Sequence, residues 1–147
     1  MTEDYLIQID GKIEMDDTDD DSVQLMTRGS FSEKNGNYYI VYKETEATGY
    51  EGCTTSVKIA GDNSRVTMTR FGPMPSQLII EKGVRHLCHY DVGPASLTLG
   101  VAADEIHHLL TPEGGTVRFS YTLDSDRESL LSRNLVEITV RKAPSVN

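Results

Sequence analysis

The sequence predicts an all-β fold: an antiparallel up-and-down β-barrel of about eight to ten strands, with at most one or two short helical turns. Three observations predict it. Segments with one apolar face recur roughly every ten to fifteen residues, the spacing of short strands. Gly, Asn, Asp and Pro separate them, and these residues supply the backbone conformations of tight turns. Nowhere do apolar side chains recur at three and four over a useful length, so an amphipathic helix has no face to bury.

Tyr5, Ile7, Ile9, Ile13 and Met15 share one phase, and Gly11 interrupts it at a place where a bulge or a sharp bend is expected. An acidic run follows as a turn, and Val23, Leu25, Thr27, Gly29 and Phe31 resume the alternation. Asn35-Gly36-Asn37 signals a hairpin, because Asn-Gly accepts the positive φ angles of a two-residue turn. The return strand is expected over Tyr38–Thr48, closed by Gly49 to Gly52. Thr55, Val57 and Ile59 lead into Gly61-Asp62-Asn63, and Val66, Met68 and Arg70 come back to Gly72-Pro73. Leu78 and Ile80 follow, turning at Gly83.

Val84, His86, Cys88, Tyr90 and Val92 face one way until Gly93-Pro94, and Leu97, Leu99, Val101 and Ala103 resume. Pro112-Glu113-Gly114-Gly115 then opens the clearest strand, with Val117, Phe119, Tyr121 and Leu123 on one face. The polar face of that strand is Arg118, Ser120, Thr122 and Asp124, a period-two pattern typical of a half-buried antiparallel strand. Val136, Ile138 and Val140 end the series. Ala102–Leu110 is the one stretch that reads as a short helix, and Ser129–Asn134 as a turn of one. Sequential hairpins favour closure into a barrel, which removes exposed edges, with an open sandwich as the alternative.

The chain of 147 residues reads as one domain, 1–147, long enough to bury a core without staples. Six acids (Glu14, Asp16, Asp17, Asp19, Asp20, Asp21) carry most of the net charge of −9, and the rest of the chain is close to neutral. The fourteen basic residues form no stripe, which argues against nucleic acid as a partner. The longest apolar run, Tyr38 to Tyr42, falls far short of the ~20 residues of a membrane-spanning helix. Met1 is followed by Thr2, Glu3 and Asp4, with neither basic leader nor apolar signal, so the expected location is cytoplasmic. Cys53 and Cys88 are then expected as free buried thiols.

From residue 39 onward the chain resembles the YwiB-like family of small bacterial proteins, a domain of unknown function. The blocks that carry the resemblance are YIVYKE (39–44), TTSVKI (54–59), VTMTRFG (66–72) and LIIEKG (78–83). HYDVGPASLTLGV (89–101), GGTVRFSYTLD (114–124) and NLVEITV (134–140) complete it. The resemblance implies a calycin-like barrel, similar in shape to lipocalins and fatty-acid-binding proteins, and implies no activity.

Candidate chemistry comes from polar residues in phase with inward apolar neighbours. Tyr42 and Glu44 share a face with Tyr38 and Ile40, Arg70 with Val66 and Met68, His86 and Tyr90 with Cys88, and Tyr121 with Phe119. A barrel of about eight strands holds one small ligand. Arg70 is therefore a candidate anchor for a ligand carboxylate, oriented by Tyr42, Tyr90 and Tyr121. The alternative is that Arg70 pairs with Glu44 and tyrosine hydroxyls and plugs a barrel that holds nothing, since buried charges need partners.

Other chemistry has less to stand on. His86 and His89 fall on opposite faces of a strand, His107 and His108 diverge, and no third ligand is evident, so no metal or other cofactor is expected. Asp17, Asp19 and Asp21 lack the glycine and closing glutamate of a calcium loop, because Ser22 and Arg28 stand there. No G-x-S-x-G or phosphate loop occurs, which puts an enzyme behind two other functions: a binding module for a small, partly apolar, anionic ligand, or a structural or protein-interaction barrel with a filled core.

Overall fold

The structure, a computed structural model, describes residues 4–15, 21–92, 95–125 and 130–144, and the side chains of 47, 90–92 and 95 lie outside the description. Ten strands form the described chain. They are β1 (Tyr5–Glu14), β2 (Asp21–Lys34), β3 (Asn37–Lys43), β4 (Thr54–Ala60), β5 (Arg65–Phe71), β6 (Ser76–Glu81), β7 (Arg85–Val92), β8 (Ala95–Thr111), β9 (Gly114–Asp124) and β10 (Leu130–Lys142). Each is antiparallel to its sequence neighbours, and β10 returns to β1, closing the barrel. The up-and-down barrel is the fold, and the open sandwich is excluded.

Local chemistry explains most of the turns. Asn35 and Gly36 have φ of 55° and 83°, so both central residues of the β2–β3 turn are left-handed, as the tightest hairpins require. Lys34 then pairs with Asn37 and the register follows from there. The segment after β3 differs from the sequence expectation. The strand ends at Lys43, and Glu46–Thr48 forms a short 3-10 turn. Its reason is visible in the bonding: Glu44 N–H donates to the Cys53 carbonyl, and Gly49 N–H to that of Glu46, so the chain folds over the barrel mouth.

Two helical expectations also fail. Ala102–Leu110 is part of β8, and residues 130–134 belong to β10, Ser129 lying outside the described residues. A register shift between Ala103 and Glu105 explains the first error. Before it Leu99 and Val101 point inward, and after it Ile106 and Leu110 do, so the alternation changes phase in mid-strand. A second shift lies between Leu130 and Ser132. At Gly11, by contrast, the pairing with Val23 and Val136 runs on without a bulge. The acidic turn is described at Glu14 and Asp21, which border β1 and β2; residues 16–20, like the Gly93-Pro94 turn, lie outside the described residues.

The barrel interior is divided. Towards the 35–36 and 61–64 turns it is filled by Ile7, Ile40, Ile59, Val66, Val117 and Val140, all fully or almost fully buried. There Phe31 meets Tyr5 edge-on at 5.4 Å and lies parallel to Tyr38 at 5.8 Å, and Tyr38 in turn tilts against His108. Towards the opposite mouth the lining turns polar. The barrel has one weak seam. β6 and β7 pair at Ser76↔Tyr90, and the isolated Glu81↔Val84 bridge closes the turn just before β7, with no ladder pair between these two points among the described residues.

Candidate functional site

A row of cross-strand neighbours builds the site. In the register of the sheet Tyr42 lies opposite Thr55, Thr55 opposite Arg70, and Arg70 opposite Ser76. Each is in phase with inward apolar residues of its own strand, because side chains two apart share a face. The sequence thus places a phenol, a hydroxyl and a guanidinium side by side on the inner wall. All three residues are buried, Tyr42 and Arg70 at 7% exposure and Thr55 at 4%, and Tyr121 of β9 joins them at 7%.

Together with Glu44 they line a cavity of ≈ 190 Å³ at the polar mouth. Ile9, Leu25, Met68 and Leu78 give it apolar walls, and Thr48 and Tyr50 of the β3–β4 connection cover it. Glu44 accepts 2.7 Å hydrogen bonds from the hydroxyls of both Thr48 and Thr55. The Tyr42 hydroxyl bonds to the same carboxylate, and burial, reinforced by the Glu44 charge, pushes its pKa far above the ordinary phenol value. Tyr42 is therefore a neutral donor. Arg70 donates Nε–H to the Met74 carbonyl and lies 3.6 Å from the centre of the Tyr50 ring, a cation–π contact that fixes the plane of the guanidinium.

Four of the six residues expected from the sequence, Tyr42, Glu44, Arg70 and Tyr121, thus share one cavity. His86 does not line it. Its Nε2 sits 3.0 Å from Glu81, and His86 and Arg65 together hold that carboxyl below its usual range. The Tyr90 side chain lies outside the described residues, although its backbone pairs with Ser76. Sequence reasoning missed Thr48, Thr55, Tyr50 and Ser76. Thr55 had a signal, because it alternates with the core residues Val57 and Ile59. Tyr50 had none, since it sits in a loop without periodicity. Ser132 and Asn134 were also missed. They are buried on β10, and Asn134 Nδ2 donates to Ser132 Oγ at 3.0 Å.

A larger external hollow of ≈ 330 Å³ lies over β1, β2, β9 and β10, lined in part by Asp10, Lys12, Gln24, Arg118 and Glu137. Arg118 and Glu137 pair there, with Nη2 2.8 Å from the carboxylate, whereas Asp10 Oδ1 is buried without a hydrogen-bond partner among the described residues. Exposed pairs of this kind describe a solvated face better than a site.

The family model for a domain of unknown function, DUF1934, matches residues 7–138. The chain belongs to this family. Its blocks were legible in the sequence, and the DUF1934 barrel described above is shared by a solved relative. The crystal structure of the ywiB protein from Bacillus subtilis superimposes with a TM-score of 0.79 at 19% identity, over 95% of this chain and 92% of that one. At that identity the likeness concerns the fold alone. No curated protein matches the chain significantly. Among the described residues, no helix is long and apolar enough to cross a membrane, which says nothing of strands.

Proposed function

We propose that this DUF1934 barrel is a binding module for a small, partly apolar anion, held in the polar mouth with Arg70 as its anchor. One observation carries the reading: a guanidinium buried to 7% exposure stands on the wall of a cavity whose other walls include Ile9, Leu25, Met68 and Leu78. Keeping such a charge out of water costs several kcal/mol unless it is matched by an anion or by hydrogen bonds. Arginine offers a planar fork suited to a carboxylate, and Tyr50 and Met74 hold that fork in place. Tyr121 lines the same cavity and would orient the bound group, whereas the Tyr42 proton is committed to Glu44. Glu44 plays a different part. Its oxygens are occupied by Tyr42, Thr48 and Thr55, so it organises the wall. Ligand pockets commonly measure about 300–1,000 Å³, and ≈ 190 Å³ suits a molecule of few heavy atoms. Two free buried thiols support a reducing compartment such as the cytoplasm.

A filled structural barrel is the second reading, favoured by the closed bonding of Glu44 with its hydroxyl neighbours. Native mass spectrometry of protein purified without denaturation separates the two. The binding module carries a small-molecule mass that Arg70→Ala abolishes. An Arg70→Ala variant with unchanged cargo and cargo affinity removes the anchor role. The filled barrel instead carries no cargo, its melting temperature is unmoved by small carboxylates, and Arg70→Ala lowers stability by several kcal/mol.

A further inference from the structure

The seam between β6 and β7 gives the cavity a lateral neighbour. Adjacent strands elsewhere in the barrel are laddered over six or more positions, as β2–β3, β4–β5 and β5–β6 are. Among the described residues β6 and β7 pair at Ser76↔Tyr90, and the Glu81↔Val84 bridge before β7 ties the other end of β6. Outside this seam lies a hollow of ≈ 510 Å³ walled by Phe71, Ile79 and Leu87, with Cys88 beside it. Phe71 and Leu87 are 57% and 60% exposed, a pair of large apolar groups left to solvent beside the weakest ladder of the sheet. Scattered apolar surface residues are ordinary, but apolar groups gathered around a concavity mark a contact site. The decisive feature is a shared wall. Thr69, Arg70 and Ser76 line both this hollow and the interior cavity.

We propose that the ligand is an amphipathic carboxylate that straddles the seam, its anion at Arg70 and its alkyl chain lying outward over Phe71, Ile79 and Leu87. The inference rests on the binding-module reading and names the ligand class for the same site. The inner cavity is too small for a long chain, and the outer hollow is apolar and adjoins the one buried guanidinium among the described residues. The charge selects the head and the outer wall selects the tail. A methylene moved from water onto an apolar wall tightens binding by on the order of three- to fourfold when fully buried. A chain lying half-exposed along the seam gains less per carbon but accumulates the gain over its length.

The test is calorimetric titration of the full chain with butanoate and with dodecanoate, below the micellar concentration, for wild type, Arg70→Lys and Leu87→Asp. Leu87 is exposed, so its substitution leaves the core untouched. The expected result is dodecanoate binding at least tenfold tighter than butanoate in wild type. Leu87→Asp collapses that ratio to within threefold and leaves butanoate binding within twofold of wild type, and Arg70→Lys weakens both carboxylates. If both bind wild type equally and both depend on Arg70, the interior site stands and the seam proposal falls. If neither binds wild type, the seam proposal falls together with the carboxylate anchor. A dodecanoate preference that survives Leu87→Asp also overturns the seam, since it places the tail elsewhere.

Discussion

Thr55 and Arg70 stand directly opposite each other across the β4–β5 ladder, the hydroxyl committed to Glu44 and the guanidinium to the Met74 carbonyl. Side chains in that relation have Cβ atoms about 4.5–5.5 Å apart. The acid-holding group and the cation of the candidate site are thus set by one register, and a slip of one residue would turn both outward. Thr55→Val keeps the shape and removes the hydroxyl. Hydrogen bonds to charged groups contribute about 1.5–3 kcal/mol, and Glu44 is half-buried, so the expected loss is ~1–2 kcal/mol by urea denaturation at pH 7. In a Glu44→Gln background the same substitution should cost distinctly less, because the two residues share one interaction. Equal costs in both backgrounds would show that the bond contributes nothing specific.

Tyr42 predicts an alkaline limit to stability. Its folded-state pKa is raised above the ordinary phenol value of 10.0, first by burial and then by the Glu44 charge. A raised folded pKa means that the unfolded chain gives up the proton first. The contribution to stability is complete below pH 10 and is lost as pH climbs from there towards the folded value. Wild type should therefore lose stability between about pH 10 and 11 more steeply than Tyr42→Phe, whose ring has no proton to lose. Denaturant midpoints measured at intervals across that range decide it, and parallel slopes for the two proteins would contradict the buried neutral phenol.

Much of the barrel was legible because its strands are amphipathic. Val117, Phe119, Tyr121 and Leu123 announce β9 by alternation alone, and Asn35-Gly36 announces the turn that the φ angles confirm. What was illegible has a common cause. The bulge between Ala103 and Glu105 breaks the period of two, so a single strand reads as two conflicting fragments and imitates a short helix. His108 is the clearest loss. It points inward only because of that bulge, and there its ring tilts against Tyr38 and it reaches the Gly61 carbonyl at 2.9 Å through Nε2. The candidate site was half legible for similar reasons. Tyr42, Arg70 and Tyr121 alternate with core residues, whereas Tyr50 reaches Arg70 from a loop whose path no pattern encodes.

Two glycines in neighbouring strands should behave in opposite ways. A Cβ at Gly29 would lie 2.3 Å from the Val41 carbonyl oxygen and 2.4 Å from Ile7 Cδ1, and backbone cannot step aside as a flexible side chain can. Gly29→Ala is expected to destabilise by about 2 kcal/mol or more through overpacking. At Gly11 the nearest atoms are 3.9 Å away, so a methyl group fits. Gly11→Ala should be neutral or stabilising by about 0.5–1 kcal/mol, since alanine has less backbone freedom to lose on folding. Thermal melts of the two variants would read this directly, and a destabilised Gly11→Ala would place a hidden constraint on β1.

The bulge in β8 makes a sharper prediction, because it separates the presence of a residue from its chemistry. Asp104 is exposed and pairs with Arg133 at 3.3 Å, an arrangement worth little in water. Asp104→Ala should therefore change stability by less than ~1 kcal/mol. Deleting Asp104 removes the bulge itself. Val101 and Ile106 then stand four positions apart instead of five, so both still point inward, and Ala103, Glu105 and Ile106 keep their partners Tyr121, Ser120 and Phe119 in an unbroken ladder. Ile106 and Leu110, 2% and 5% exposed, stay in the core, and Glu105 and His107 stay outside it. The deletion should therefore keep a cooperative melt, and the alanine variant should melt within a few degrees of wild type. A deletion variant without a cooperative melt would show that the bend the bulge gives β8 is required for the barrel to close.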